Sequence, residues 1–541
     1  MTAMSTSLPW LTILGLIPLV GALLVAFVPG SAENAKRMAL GFSLVTLVVG
    51  IIAATQFDRG ATQQFQLGEQ HAWIPQLGVS YALGVDGIAL VLILMALVLT
   101  PICLLAAWRD VPEDVDGQTG GAQRTKTYFA LLLVLETFMV GVFAATDVFL
   151  FYVFFEAMLI PVYFLIGRFG GPRRQYAAMK FLLFSLAGGL VMLVAVIALY
   201  LQGPGGTDGF LIERLTGLSI DPTTERLLFV GFFLAFAVKA PMVPFHTWLP
   251  DAATESSPAT ATLLVGVLDK VGTFGMIRFC LQLFPEASQW ATPVVVVLAV
   301  ISVIYGALLA IGQTDMMRLI SYTSISHFGF IVLGIFAFTN VGHAGSTLYM
   351  VNHGFSTAAL FLVAAMLVRR HSAGSKRISD FGGWQRVTPV LAGVFLVAGL
   401  SGLALPGLSS FVSEFLVLVG SFPTQPVAAV IATGGIILAA LYILLMVKRV
   451  MTGPKPEHLA ADGVIVDEKW RRSSGGTVVR DLTTREKLVA APLIAAFVVL
   501  GFLPNIALNV INPAVDKTLS HVEAVNPQLN PAGTVAERSS K

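Results

Sequence analysis

Charged residues make up only 12% of this 541-residue chain, about half the share found in soluble globular proteins. So few charges could not cover the aqueous surface of a domain this long, and 56% of the residues are hydrophobic. The composition is that of a membrane protein, in contact with lipid. The net charge of +2 leaves no basic excess that would favour nucleic acid. Cysteine is nearly absent. Cys103 and Cys280 stand in separate apolar stretches, with no CxxC and no Cys/His cluster. That argues against iron–sulfur clusters, structural zinc and attached haem, and both residues read as small buried apolar groups. No GxGxxG run followed by an acid and no Walker A run occurs, so nucleotide binding is not expected either. No cofactor and no metal is expected in this chain. The first apolar stretch has no preceding Lys or Arg; a secretory signal would carry a basic start, so this stretch is read as a retained first span.

Long apolar runs are what the sequence has in abundance. A spanning helix needs about 20 mostly apolar residues. Such stretches lie at residues 8–28, 38–55, 83–107, 127–145, 148–167, 177–201, 227–249, 260–283, 292–311, 316–338, 341–368, 390–419, 427–447 and 488–508. The expected fold is an all-α polytopic membrane protein with about fourteen transmembrane helices in a single domain over residues 1–511. A polar C-terminal tail, mobile or lightly docked, is expected over 512–541. Lys and Arg sort strongly between alternate loops: 24 fall in odd-numbered loops and 6 in even-numbered loops and the tail. Cytoplasmic loops carry such an excess, so both termini are expected outside, on the periplasmic side of a bacterial plasma (inner) membrane.

Three basic residues, Lys239, Lys270 and Arg278, remain inside apolar stretches. An ionisable group at the bilayer centre costs roughly 2.5–3.5 kcal/mol on insertion scales and needs a reason to be there. Glu156 lies mid-span and reads as a proton-carrying or pKa-tuning carboxylate. Lys239 is followed by Pro241 and Pro244, which remove amide donors and should break the helix beside it; such breaks are tolerated only inside protein or along a hydrated cavity. Lys270 reads as a second proton carrier, and Arg278, nearer the end of its span, as a snorkelling or anchoring residue. Asp269 precedes Lys270, but neighbouring helical residues do not face each other, so it is expected to answer another helix. In the second half, Pro406 and Gly407 interrupt a long apolar stretch ahead of Glu414, a second broken helix with an acid. Paired breaks in corresponding halves are a mark of inverted-repeat transporters. His327 and His353 lie on consecutive spans between Lys270 and Glu414 and read as relay members, since imidazole both accepts and donates near neutral pH. His246 follows the first break, and Thr323 and Ser324 share the face of His327.

Together, FFEAMLIPVYFLIG, FAVKAPMVPFHTWLPDA, LLVGVLDKVGTFGMIRF, SYTSISHFGF and PGLSSFVSEF resemble the antiporter-like membrane subunits of respiratory complex I, over nearly the whole chain. The acid at Glu414 sets the sequence apart from two of the three such subunits, chains L and N, which carry a lysine there. It also lacks the long lateral C-terminal helix of chain L. The resemblance implies fourteen helices with two inverted five-helix repeats, at about 127–283 and 292–447, followed by a last helix at about 488–508. It implies that Glu156 pairs with Lys239, that Lys270 is the connecting lysine, that Glu414 is the terminal carboxylate, and that His327 and His353 line the path between them. The partners would be other complex I membrane subunits, especially chains L and N, with FMN and iron–sulfur clusters in partner subunits. Two positions depart from the family. A histidine common in the loop after the first break is missing between Asp251 and Ser257. Asp269 replaces a residue that is usually apolar; it either deepens a proton trap near Lys270 or pairs with a neighbouring helix. The rival readings are a subunit of a multi-subunit cation/proton antiporter, a related hydrogenase subunit, and a passive scaffold that leaves Lys239 and Lys270 without a reason.

Overall fold

The structure, a computed structural model, describes residues 8–110, 121–371, 374–454 and 479–525. The chain opens with helices α1 (Trp10–Phe27) and α2 (Ala32–Thr55), a hairpin of β1 (Gln66–Ile74) and β2 (Val79–Val85), then α3 (Gly87–Ala106) and α4 (Gly121–Ala144). Next come α5 (Val148–Ala157) and α6 (Leu159–Phe169), divided only by a turn at Met158, then α7 (Arg174–Gln202), the short α8 (Ile212–Leu215) and α9 (Pro222–Lys239). After the first break follow α10 (Trp248–Glu255), α11 (Pro258–Leu263) and α12 (Lys270–Gly275), with π-helical turns Leu264–Leu268 and Met276–Leu281 on either side of α12. The second half holds α13 (Pro285–Ile311), α14 (Met316–Ile335), α15 (Asn340–Val368), α16 (Pro389–Gly402), α17 (Ser409–Ser421), α18 (Pro426–Met451), α19 (Thr484–Phe502) and α20 (Asn505–Val525).

Most residues of the fourteen apolar stretches lie on helices, while residues 83–85 belong to β2 and 240–247 and 403–408 to breaks. Among the described residues ten helices are long and apolar enough to cross a membrane, with α5 and α6 counted together, and eleven if α19 and α20, bent by 67°, count as one span. The other stretches are those whose hydrogen-bond ladders are interrupted. One stops at residues 240–247, another at 403–408, and the stretch around Lys270 is divided by its π-helical turns. Segment 505–525, part of which reads from sequence as tail, is helical, and its apolar stripe (Ile511, Val515, Leu519, Val522) is buried. The hairpin, within a segment read only as polar, clamps the start of α1: the Glu69 carboxylate accepts from Leu11 N at 2.7 Å and from the Thr12 hydroxyl at 2.5 Å.

The loops sort onto two faces. On one, Lys180 and Arg318 converge on Asp251, Arg173 meets Glu255, Arg370 grips Glu486 and Lys376 donates to the Thr254 carbonyl; all belong to odd-numbered loops or their edges. On the other, Gln282 links Gln64 to Thr216, Lys517 donates to the Ala61 and Gln63 carbonyls, and Asn340 donates to Asp516. The basic residues of the long thirteenth loop from 455 to 472, and those of the tail beyond 525, lie outside the described residues. Between the faces, α14 and α15 are nearly wholly buried, whereas less than half of the apolar windows of α1, α2, α7, α13 and α18 is buried. That exposed aliphatic surface is suited to lipid or a neighbouring membrane subunit.

Candidate proton path

The path is built at helix defects. α9 ends at Lys239, where Ala240 leaves helical geometry at ψ 55°. The carbonyl of Val238 is not left orphaned, because Trp248 Nε1 donates to it at 2.9 Å from across the break. Ser302 of α13 accepts from Val243 N at 3.0 Å and steadies the far side of the turn. Lys239 is 1% exposed, and its Nζ has no hydrogen-bond partner. It stands instead over the faces of Phe155 and Phe181, 5.0 and 5.7 Å from the ring centroids, positions that hold a cation without accepting a proton.

Glu156 follows Phe155, one residue from the turn that divides α5 from α6. Its carboxylate lies against Gly189 of α7, where any Cβ would overlap it. The two charges act on each other, yet Glu156 Oε1 and Lys239 Nζ both lack hydrogen bonds. The pair is thus near but unjoined. Glu156 is half-buried and shares its helix face with Ile160, which is exposed.

Lys270 opens α12 directly after the first π-helical turn. That turn frees the Val265 carbonyl, and Lys270 Nζ donates to it at 2.6 Å. The same Nζ lies 2.6 Å from His353 Nδ1 of α15 and 5.0 Å from the centroid of Phe328. The ring of His353 meets that of His327 edge to face, 5.1 Å between centroids, and His353 Nε2 and His327 Nδ1 are both unpartnered. His327 Nε2 lies 3.3 Å from the Tyr442 hydroxyl of α18, and the His327 ring is 5.8 Å from that of Tyr349. The charge of Glu414 acts on both tyrosines. Glu414 sits buried in α17, after the second break, where Ala404 and Gly407 take φ of 59° and 91°. Asn352 ties that break to α15 by donating to the Ser409 carbonyl at 2.7 Å and to the Ser413 hydroxyl at 3.2 Å.

All six expected residues are buried or half-buried, and Lys270, His353 and His327 are in direct succession. Other residues stand apart. Arg278 is anchored in a buried ion pair with Asp86 at 2.6 Å. Thr323 and Ser324 donate to the Ile320 carbonyl of their own helix. His246 packs its ring edge against Tyr305, 5.4 Å between centroids. Sequence reasoning missed Tyr349 and Tyr442. Tyr349 lies one turn before His353, a shared face that spacing could have shown; Tyr442 is one of the few hydroxyl-bearing residues in a mostly apolar span. It also missed Glu136, 0% exposed in α4, which accepts from the Ser43 hydroxyl at 3.0 Å.

Helices broken at paired positions, with lysines and a carboxylate at the breaks, define a transporter-like membrane subunit built to hold charge in its interior. Residues 145–439 match the family described as NADH:quinone oxidoreductase/Mrp antiporter, TM. NADH-quinone oxidoreductase subunit M of Mycobacterium tuberculosis is 48% identical, over 98% of this chain and 97% of its own. A chain of respiratory complex I from Thermus thermophilus, solved with bound NADH, superposes with a TM-score of 0.81 at 28% identity, covering 95% of this chain and 99% of that one. A chain of the Mrp complex from Dietzia sp. DQ12-45-1b shares the fold, with a TM-score of 0.80 at 21% identity over 96% of this chain and all of that one. The chain belongs to the NADH-quinone oxidoreductase subunit M family.

Proposed function

We propose that Glu156, Lys239, Lys270, His353, His327 and Glu414 form the proton path of this chain. The chain is an antiporter-like, proton-translocating membrane subunit of NADH:quinone oxidoreductase, complex I. The observation that carries the path is the contact of Lys270 Nζ with His353 Nδ1 at 2.6 Å between two fully buried side chains: a basic amine and an imidazole able to share one proton, with a second imidazole behind.

In this reading, redox energy released in other subunits changes the charge balance at Glu156 and Lys239. When the carboxylate approaches, the lysine keeps its proton; when it withdraws, the proton moves through waters to Lys270 and on to Glu414. Coulomb energies are several-fold larger in a poorly hydrated interior than in water, so movements of a few ångströms suffice. The partners are the other complex I membrane subunits, especially chains L and N, which a half-buried Glu156 on an outward apolar face suits. FMN and iron–sulfur clusters belong to partner subunits. The membrane is the bacterial inner membrane with both termini outside, a reading supported by the basic bias of the odd loops and their gathering on one face.

The test is inverted membrane vesicles carrying Lys239→Ala, scored for NADH-driven acidification and for NADH oxidation by a soluble acceptor. Acidification should fall while soluble-acceptor oxidation persists. If both are unchanged, the path is wrong and the cation/proton antiporter reading takes its place.

A further inference from the structure

Asp269 is the one acid in the apolar stretch that holds Lys270. It is 0% exposed, and both of its carboxylate oxygens lack a hydrogen-bond partner. A carboxylate so placed is expensive to keep unless it answers a charge or holds a proton. Its surroundings indicate which charges it answers. Asp269 keeps helical geometry, φ −62° and ψ −29°, between the first π-helical turn and α12. Residues three apart share a helix face, and neighbours diverge by about 100°. Asp269 therefore points between Gly272, three residues on, and Thr273, four residues on, whose hydroxyl meets Met350 Sδ of α15 at 2.9 Å, while Lys270 is turned about 100° from it. Gly272 lies against the end of α9, since a Cβ there would stand 2.6 Å from Ala240 N and 2.6 Å from the Phe236 carbonyl. Ala240 is the residue after Lys239. Lys270, on the other flank, reaches α15 and His353. Asp269 is thus set between the first break and α15, and Lys270 reaches on into the second half of the molecule, with one peptide unit between them. The charges of both lysines act on the Asp269 carboxyl.

We infer that Asp269 is a catalytic proton carrier between Lys239 and Lys270, passing each proton across the axis of its own helix. The step balances without any co-reactant. An N–H bond of the Lys239 ammonium breaks and an O–H bond forms on Asp269, leaving a neutral amine and a neutral acid. The acid then gives its proton to the neutral amine of Lys270, which becomes the ammonium, and Asp269 returns to carboxylate. Lys239 Nζ has no hydrogen bond to lose, and Lys270 Nζ has the Val265 carbonyl and His353 Nδ1 as acceptors. An apolar residue at this position would leave the same gap to water alone.

This inference rests on the path proposed above, and the experiment separates the two. Asp269→Asn, Asp269→Leu and Asp269→Glu are made beside Lys239→Ala in the whole complex. Acidification of inverted vesicles is divided by soluble-acceptor NADH oxidation, so that pumping is read per assembled complex. Asn keeps the shape and loses the proton site; a packing role survives it, and a carrier role does not. Asp269→Asn and Asp269→Leu should both lower pumping per complex by at least tenfold, with Asp269→Glu restoring most of it and moving its pH profile. Asp269→Asn pumping at the wild-type rate while Lys239→Ala does not would overturn the carrier role and leave the path standing. Loss in all three variants, Glu included, would also overturn it, in favour of a shape requirement. An unaffected Lys239→Ala would sink the path itself.

Discussion

The buried pair of Arg278 and Asp86 offers a measurable separation of anchoring from transport. Their contact is 2.6 Å, with side chains 2% and 4% exposed. At that separation the attraction is about 6 kcal/mol for an effective dielectric near 20, before the loss of hydration is subtracted. Asp86 also accepts from Ala89 N at 2.9 Å and so caps α3, while Phe65 and Phe274 cover the guanidinium at 4.8 and 5.3 Å. Arg278→Met leaves a carboxylate buried without its cation, and Asp86→Asn keeps most of the cap but strands the guanidinium. Each should cost about 3–5 kcal/mol. The double variant should cost less than the sum, by roughly 1–3 kcal/mol, because no charge is then left alone. The assay is heating or SDS titration of the detergent-extracted complex, following loss of this subunit, with vesicle acidification measured on what remains assembled. Pumping per assembled complex should be unchanged. Additive single losses, or pumping that falls while assembly holds, would refute the reasoning and place Arg278 among the proton carriers.

Two further outcomes follow from local packing. Gly189→Ala places a Cβ where the Glu156 carboxylate lies and must push that flexible end aside. Drawing a unit charge an ångström or two away from its partner costs on the order of 1 kcal/mol at a dielectric near 20, so vesicle acidification should fall several-fold with assembly intact; an unaltered rate would refute it. At the odd-loop face, burial works to raise the carboxyl of Asp251, but hydrogen bonds and charge from Lys180 and Arg318 prevail and hold it below its ordinary value. A depressed carboxylate contributes stability that is complete above its unfolded value, near 4, and is lost as pH falls through the folded value. Retention of this subunit should therefore weaken below pH ~4, and Asp251→Asn should lower retention at neutral pH and flatten that acid loss; a wild-type acid profile in the variant would contradict this.

What was legible in the sequence follows from which forces act locally. Pro241, Pro244, Pro406 and Gly407 announce their breaks, because a missing donor or a positive φ acts within a turn or two. The π-helical turns flanking α12 have no such signal: a one-residue excess per turn depends on what packs against the helix, here Ala240 against Gly272 and His353 against Lys270. The hairpin escaped a reading based on apolar length, since the nine residues Gln66–Ile74 mix polar and apolar side chains and their pairing is with a later segment. α20 was hidden by Pro513 and by its polar face, although the spacing of Ile511, Val515, Leu519 and Val522 carries a helical stripe. Asp269 was visible as an anomaly. Its direction was not, because that depends on which flank of α12 lies against α9.

The defects and the charges belong together. Within a bilayer each freed backbone group is costly unless something answers it, so a broken helix needs a partner at the break. At Lys239 that partner is the Trp248 indole, which satisfies the Val238 carbonyl and leaves the lysine with aromatic faces and charges it does not touch. At Lys270 it is the lysine itself, which fills the Val265 carbonyl while touching an imidazole. The carbonyl cannot take the proton and therefore holds the amine in place; the imidazole can take it and provides the way onward. A continuous helix would not offer the free carbonyl. The π-helical turn is thus the element that holds the Lys270 amine in place, and α15, which runs unbroken past it, supplies the fixed imidazole that the amine meets.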